Sequence, residues 1–272
     1  MAKLAVIQSV YKNDKPEYLI KSIGSILSQT FSSFTYYIGI DGPIGQDLRN
    51  VLYSITDSRV VIIENKENKG LAAILNDLLE KCKEGDFDYI ARMDSDDIAI
   101  QNRFKLQIDH LEQNADVDAL GGAINEIDEN GNDRGKVVCY PCSPNDCRAF
   151  FAKRNPMAHP TVMFRRSFFE KAGWQYPTDF VRNEDTRLWH EGFKHGCVIA
   201  NISDVVLNFR MTDSMFTQRR NGREFAKSQL ELRKMIAKDL KYGMMAYIYA
   251  YAMYLLMISP SWILKIAYKV LR

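Results

Sequence analysis

The chain has 272 residues, with 36 Lys and Arg against 34 Asp and Glu, for a formal net charge of +2. That near-balance excludes a general electrostatic attraction to nucleic acid. The length and a 46% hydrophobic content allow a substantial core, as one large domain or one domain with an appendage.

Leu4 to Ser9 is a short continuous apolar run, as expected of a central parallel strand. It is too short for a secretory signal core and ends in polar Gln8-Ser9, so the expected compartment is the cytoplasm. Tyr11 to Lys15 reads as a polar loop in which Asp14 caps a helix with Pro16 in its first turn. Leu19, Ile20, Ile23, Ile26 and Leu27 then recur at helical spacing to about Ser28. Thr35 to Ile40 is a second strand ending at Asp41-Gly42-Pro43, and Leu48 to Ile55 is helical. Val60 to Ile63 is a third strand, and Leu71 to Cys82 a helix with an apolar face. Tyr89 to Met93 is a fourth strand, and Arg103 to Leu111 is helical again. This alternation predicts an α/β fold: a mostly parallel sheet with helices on both faces.

Ligands of such sheets bind outside the carboxyl ends of the strands. Polar groups stand at each of these ends: Ser9-Val10-Tyr11, Asp41-Gly42, and the acidic turn Asp94-Ser95-Asp96-Asp97. Carboxylates this crowded resist ionisation unless a cation holds them. Hard oxygen ligands suit Mg²⁺ or Mn²⁺, ions that usually also take substrate phosphate oxygens. The other reading of the turn is a solvated helix cap. No G-x-G-x-x-G follows the first strand and no G-x-x-x-x-G-K-[ST] occurs, so phosphates would be held by metal and basic side chains.

Five cysteines in this context are expected to be free thiols. Cys139, Cys142 and Cys147, with His159 downstream, are a weaker candidate for zinc, because no second C-x-x-C completes the pattern.

The polar strand ends belong to a longer series of segments. Ser22 to Phe31 and Asn68-Lys69-Gly70-Leu71-Ala72 follow in order, with Asn76 behind and Ala91 to Asp97 next. The second half adds His159 to Ser167, then Asn183-Glu184-Asp185-Thr186-Arg187-Leu188-Trp189 and Leu207-Asn208-Phe209-Arg210. Together these segments resemble the inverting, nucleotide-sugar-dependent family-two glycosyltransferases with the GT-A fold, of the bacterial surface-polysaccharide type. The resemblance implies a GT-A domain over 1–220, with a nucleotide half to about 115 and an acceptor half over 116–220. It implies that Tyr11 borders a uracil ring, Asp41 accepts from the uracil N3–H, and Asp94 contacts ribose or orients the metal. Asp96 would bind Mn²⁺ or Mg²⁺ bridging the two phosphates, a Lewis acid for the departing diphosphate. Asp97 would support the metal site or meet a sugar hydroxyl.

Asp185 would be the catalytic base that takes the acceptor hydroxyl proton. Glu184 precedes it, and adjacent helical residues diverge by about 100°, so only one of them points at the acceptor. Otherwise the pair are first-turn acids complementing a helix dipole. Arg92 is expected to pair with the acidic turn, and His159 to lie near the donor or acceptor sugar. Trp189 would stack on an acceptor sugar or fill the core. Many relatives carry His after the late Arg, but here Arg210 is followed by Met211-Thr212-Asp213. Arg210, Arg219 and Arg220 are therefore the candidates for the diphosphate contact, the last two otherwise surface charges.

The region 221–272 reads as a helical membrane-associating segment. Tyr242 to Leu264 is uncharged but interrupted by Gly243 and by Ser259-Pro260-Ser261, and its tyrosines favour the headgroup level. Trp262 to Arg272 mixes apolar residues with Lys265, Lys269 and Arg272, as a basic amphipathic helix does. The alternative is a helix pair packed on the catalytic domain or used in dimerisation. A cytoplasmic-face, inner-membrane location implies a polyprenyl-diphosphate-linked sugar as acceptor and a UDP-sugar as donor. Galactose or glucose is the favoured sugar, passed in β-linkage to an N-acetylhexosamine during O-antigen assembly, with no nucleic acid partner. Two other classes stay open: a metal-dependent nucleotidyltransferase, and a non-catalytic sugar-binding subunit.

Overall fold

The computed structural model describes residues 2–180, 182–212 and 223–259. Arg219, Arg220 and the expected helix over 262–272 lie outside the described residues. The first half follows the sequence expectation closely. In chain order it runs β1 (Leu4–Val10), α1 (Pro16–Leu27), β2 (Phe34–Ile40), α2 (Gln46–Tyr53), β3 (Val60–Glu64), α3 (Leu71–Glu84) and β4 (Tyr89–Met93). The four strands are parallel neighbours in the order β3-β2-β1-β4. β1 is apolar on both faces because both are covered. Leu4, Val6 and Val10 join a core with α1 and α2, while Ala5 and Ile7 join a second core with Leu75, Leu78 and Leu79 of α3. Burying each such leucine contributes about 1.5–3 kcal/mol.

The second half departs from a simple parallel sheet. It contains β5 (Ile98–Ala99), α4 (Arg103–Gln113), β6 (Ala119–Ile127), β7 (Asp133–Val138), α5 (Pro144–Phe151), a 3₁₀ turn at His159–Thr161 and β8 (Met163–Arg165). There follow α6 (Arg166–Ala172), α7 (Glu184–Lys194) and β9 (Ile199–Arg210). β8 pairs antiparallel with both β4 and β6, and β6 pairs parallel with β9. The short β5 pairs antiparallel with β9. This mixed half carries the chain past the end of β4, so it walls in the acidic turn.

Beyond these, α8 (Arg223–Asp239) and α9 (Met244–Ile258) complete the described chain. α8 is part of the second core: its Leu232 and Ile236, and Leu240 just beyond it, are buried with Phe151, Trp189 and Phe193. α9 packs on α8 through its small residues Ala246 and Ala250.

Candidate active site

The sheet register places the expected strand ends side by side. Val10 is opposite Ile40, and Gln8 opposite Met93, so Tyr11, Asp41 and Asp94 emerge from three neighbouring strands. Tyr11 is half-buried, and its N–H donates to Asp14 Oδ2 at 3.0 Å. Asp14 is therefore not the cap of α1; Lys15 occupies that position without a side-chain cap. The carboxylate turns inward instead, toward Ser95, and burial pushes it up to about 7, with the charges of Asp96 and Asp94 adding to the shift.

Asp41 is buried and already does structural work. Oδ1 accepts the Lys69 N–H at 2.8 Å, while Oδ2 accepts the Gly70 N–H and the Asn68 side chain, each at 2.9 Å. It thereby pins the β3–α3 loop, and Oδ1 keeps acceptor capacity for one further donor. The loop passes so close that a Cβ on Gly42 would sit 2.5 Å from the Asn68 backbone nitrogen. Gly42 also has φ +81°, a conformation that glycine adopts without strain.

Asp94, Asp96 and Asp97 present carboxylate oxygens that all lie within 4.8 Å of one another. The backbone of this turn is held from below: Ser22 donates to Asp94 O at 2.8 Å, and Arg210 Nε to Asp96 O at 2.8 Å. Asp97 is fully buried, with Oδ1 accepting the Arg210 N–H at 2.8 Å and Oδ2 lacking any hydrogen-bond partner among the described residues. Burial, and then Asp96 and Asp94, hold its carboxyl well above the usual range. An orphaned buried carboxylate oxygen beside further carboxylates is a donor set that fits a hard divalent cation. It is the one such His/Cys/Asp/Glu group among the described residues.

Arg92 is buried behind this turn and ion-pairs with Asp94, as expected. Around it stand His159, Tyr176 and the Glu184–Asp185 pair. His159 Nε2 lies 3.0 Å from the Tyr176 hydroxyl, and its ring meets Trp189 edge-on at 6.0 Å. Burial and the Arg92 charge push His159 well below its ordinary pKa, so it is neutral at pH 7. Tyr176 is fixed by Asn76 of α3, which donates to its C=O at 3.0 Å and accepts its N–H at 2.6 Å.

Glu184 and Asp185 open α7, and burial raises both carboxyls; Glu184 also responds to Asp185 and Asp94. The half-buried Asp185 carboxylate has its own support. Oδ2 accepts from Asn155 at 2.9 Å, and Oδ1 accepts the Thr186 N–H at 2.6 Å, with the Thr186 hydroxyl 3.2 Å away. Asn155 in turn accepts from Arg233 of α8 at 3.2 Å. Asp14, Asn155, Tyr176 and Arg233 were not singled out from sequence as site residues. None lies in a recognisable motif, and the fold alone brings them in.

Of the two readings of Trp189 the core one holds: it is fully buried, stacked 5.8 Å from Phe164, and offers no face to a sugar. One expectation needs correction. Arg210 does not present its guanidinium to a diphosphate. Besides Asp96 it donates to Asp128 O at 3.1 Å and Glu129 O at 2.9 Å, and it stacks over Tyr18 at 4.2 Å. Buried itself and bonded to three backbone carbonyls, it is a clamp under the acidic turn. In the cysteine cluster, Cys139 and Cys142 are exposed, while Cys147 is buried against Pro141 O at 2.9 Å, with its thiol pushed up to about 12 by burial.

Residues 6–197 match the model of Glycosyl transferase family 2. The chain is 33% identical over 233 residues to the amylovoran biosynthesis glycosyltransferase AmsE of Erwinia amylovora, covering 85% of this chain and 84% of the relative. It is 30% identical over 232 residues to the UDP-Gal:alpha-D-GlcNAc-diphosphoundecaprenol beta-1,3-galactosyltransferase of Escherichia coli, covering 84% and 81%. Among solved structures, S. aureus TarS 1-349 in complex with UDP-GlcNAc superimposes with a TM-score of 0.66 at 15% identity, over 88% of this chain and 71% of that one. At that identity the likeness concerns the fold.

Proposed function

The chain belongs to glycosyl transferase family 2 and is a glycosyltransferase, and from that premise we propose that it moves a hexose from a UDP-sugar to a polyprenyl-diphosphate-linked sugar with inversion. Membership sets aside the nucleotidyltransferase and non-catalytic alternatives. The observation that carries the reading is the pairing of two carboxylate groups around one buried arginine. Asp94 of the acidic turn ion-pairs with Arg92, and Glu184, next to Asp185, feels the charges of both Arg92 and Asp94. The first group suits a cation that would offset diphosphate charge as the bond to the sugar breaks. The second supplies a general base for a single displacement, which needs no covalent enzyme intermediate.

In this reading Tyr11 borders the base and Asp41 accepts its N3–H through the remaining capacity of Oδ1. Asp94, tied to Arg92, faces the ribose, and Asp96 is the principal ligand of Mn²⁺ or Mg²⁺. Asp185 takes the proton of the attacking hydroxyl. Galactose or glucose is the favoured donor sugar, and the name of the Escherichia coli relative supports galactose, an N-acetylhexosamine acceptor and a β-linkage. O-antigen or other surface polysaccharide is the expected product class. A panel of UDP-sugars against synthetic lipid-diphosphate acceptors, with Mn²⁺ and with chelator, tests this. UDP-Gal or UDP-Glc should give a β-linked product by NMR; an α-linked product, or transfer unaffected by chelator, would overturn it.

The acceptor class goes with a membrane-surface location. Met244, Ile248, Tyr251, Leu255 and Ile258 recur at helical spacing on α9 and are all exposed, Met244 at 74% and Leu255 at 61%. A contiguous exposed apolar face of this kind marks an interaction surface. No helix among the described residues is long and apolar enough to cross a membrane, and the face suits lying in the headgroup region. Deleting 243–272 should move the protein from the membrane pellet to the soluble fraction. A truncated chain that still pellets would end the anchor reading.

A further inference from the structure

The segment between α5 and the 3₁₀ turn is gripped by the C-terminal helices. Arg233 of α8 donates Nη1 to Phe151 O at 3.0 Å and Nη2 to Asn155 Oδ1 at 3.2 Å, and it lies over the Phe151 ring. Tyr242 donates to Arg148 O, and Arg154 Nε to the Tyr249 hydroxyl of α9 at 3.2 Å. The Thr186 hydroxyl lies within hydrogen-bond distance of both Asn155 Oδ1, at 3.0 Å, and Asp185 Oδ1, at 3.2 Å. A continuous chain of polar contacts therefore runs from α8 through Asn155 to both oxygens of Asp185.

The amide of Asn155 is fully specified by this chain. Its oxygen accepts from Arg233 Nη2, with the Thr186 hydroxyl 3.0 Å away, and its Nδ2 donates to Asp185 Oδ2 at 2.9 Å. A flipped amide would set donor against donor on one side and acceptor against acceptor on the other. The arginine thus dictates which end of Asn155 faces the carboxylate. Burial lowers Arg233 to about 10, which leaves it cationic at neutral pH, and its charge favours the ionised form of Asp185. Such buried charge-assisted contacts orient a catalytic group through its neighbours.

We propose that Arg233 is a positioning residue for the catalytic base, acting through Asn155 to orient the Asp185 carboxylate. The C-terminal helices would then serve the chemistry as well as any membrane contact. This rests on the reading of Asp185 as the base. Glu184 on the same helix turn, Asp94 of the acidic turn, Tyr176 from the facing loop, Arg92 from β4 and Arg233 are the titratable or charged groups that bear on the pair.

The test compares Arg233→Met, Arg233→Lys, Asn155→Ala and the Arg233→Met/Asn155→Ala double variant in the full chain. Each of Arg233→Met and Asn155→Ala should lower kcat by roughly 10–100-fold, as a displaced catalytic group does, with donor KM within about twofold. Both should move the acidic limb of the kcat profile to higher pH, because a carboxylate that loses a cation or a donor is harder to ionise. Arg233→Lys should keep that limb in place while losing part of kcat, since lysine lacks the planar fork. The double variant should be no worse than the single ones, as coupled residues are. Effects that simply multiply, or an unshifted limb in Asn155→Ala, would overturn the proposal. Should Arg233→Met fail to fold, Asn155→Ala decides alone, since it leaves Arg233 in place. If Asp185→Asn keeps transferring, the base assignment fails. If Asp185→Asn is inactive and Asn155→Ala behaves as the parent, only the positioning role fails.

Discussion

Asp185→Asn is expected to lower transfer by roughly 10²–10⁴-fold, the usual contribution of a positioned general base, while UDP-sugar affinity stays within about twofold. The substitution nearly preserves shape but removes the lone proton-accepting function. The cost in stability should be small yet measurable. In the parent protein both carboxylate oxygens accept, Oδ2 from Asn155 and Oδ1 from Thr186. An amide has one accepting end, so one of these donors meets an N–H, at a cost of about 1–2 kcal/mol. The pH profile adds a second signature. Burial raises Asp185 above the ordinary carboxylate range. A base must be ionised, so activity is present above that raised pKa and is lost as pH falls through it. Because Glu184 interacts with Asp185 and is raised as well, the limb belongs to the pair. Isothermal titration with UDP-sugar, single-turnover kinetics and the same measurements on Glu184→Gln separate the two. An active Asp185→Asn beside an inactive Glu184→Gln would transfer the base role to the neighbour.

The difference between what the sequence reveals and what it hides has a physical origin. Strand ends announce themselves locally: an apolar run stops and a carboxylate follows, as at Ile40-Asp41 and Met93-Asp94. Parallel register then aligns those ends without further information, and Tyr11, Asp41 and Asp94 do emerge together. The long helices α1 and α3 follow from apolar spacing in the same way. The second half gives no such cue, because β5 and β8 are too short to show a period and are defined by their partners. Trp189 illustrates the limit at a single residue. Its spacing from Asp185 suggests a common face, yet one turn of α7 carries the chain from the cleft into the aromatic core of Phe164 and Phe168. The clamp role of Arg210 and the place of Arg233 are hidden for a related reason. A guanidinium bonded to backbone carbonyls, or to one amide, leaves no motif, since any residue can supply a carbonyl.

Asp96→Ala is expected to weaken UDP binding in Mn²⁺ by at least about 100-fold, toward the value seen with chelator. The neighbours of Asp96 are less able to replace it than their proximity suggests. Asp94 is neutralised by Arg92, and Asp97 spends Oδ1 on the Arg210 N–H. Asp96 is only half-buried, and its carbonyl accepts from Arg210 Nε, which fixes the backbone beneath it. The same substitution should raise the melting temperature of the metal-free protein. Asp94, Asp96 and Asp97, with Asp14 close by, repel one another, and burial adds to the cost of ionising Asp97 and Asp14. Removing one charge relieves its neighbours. The stabilisation that Mn²⁺ and UDP give the parent follows from ligand binding to the folded state alone, and it should nearly vanish in the variant. Thermal unfolding of both proteins, with Mn²⁺ and UDP and with chelator, reads these opposite changes in one experiment. Catalysis would be lost while stability is gained, as expected where like charges are gathered for function at the expense of the fold. If the variant keeps the Mn²⁺-dependent rise of the parent, Asp96 is not the ligand, and the orphaned oxygen of Asp97 becomes the candidate.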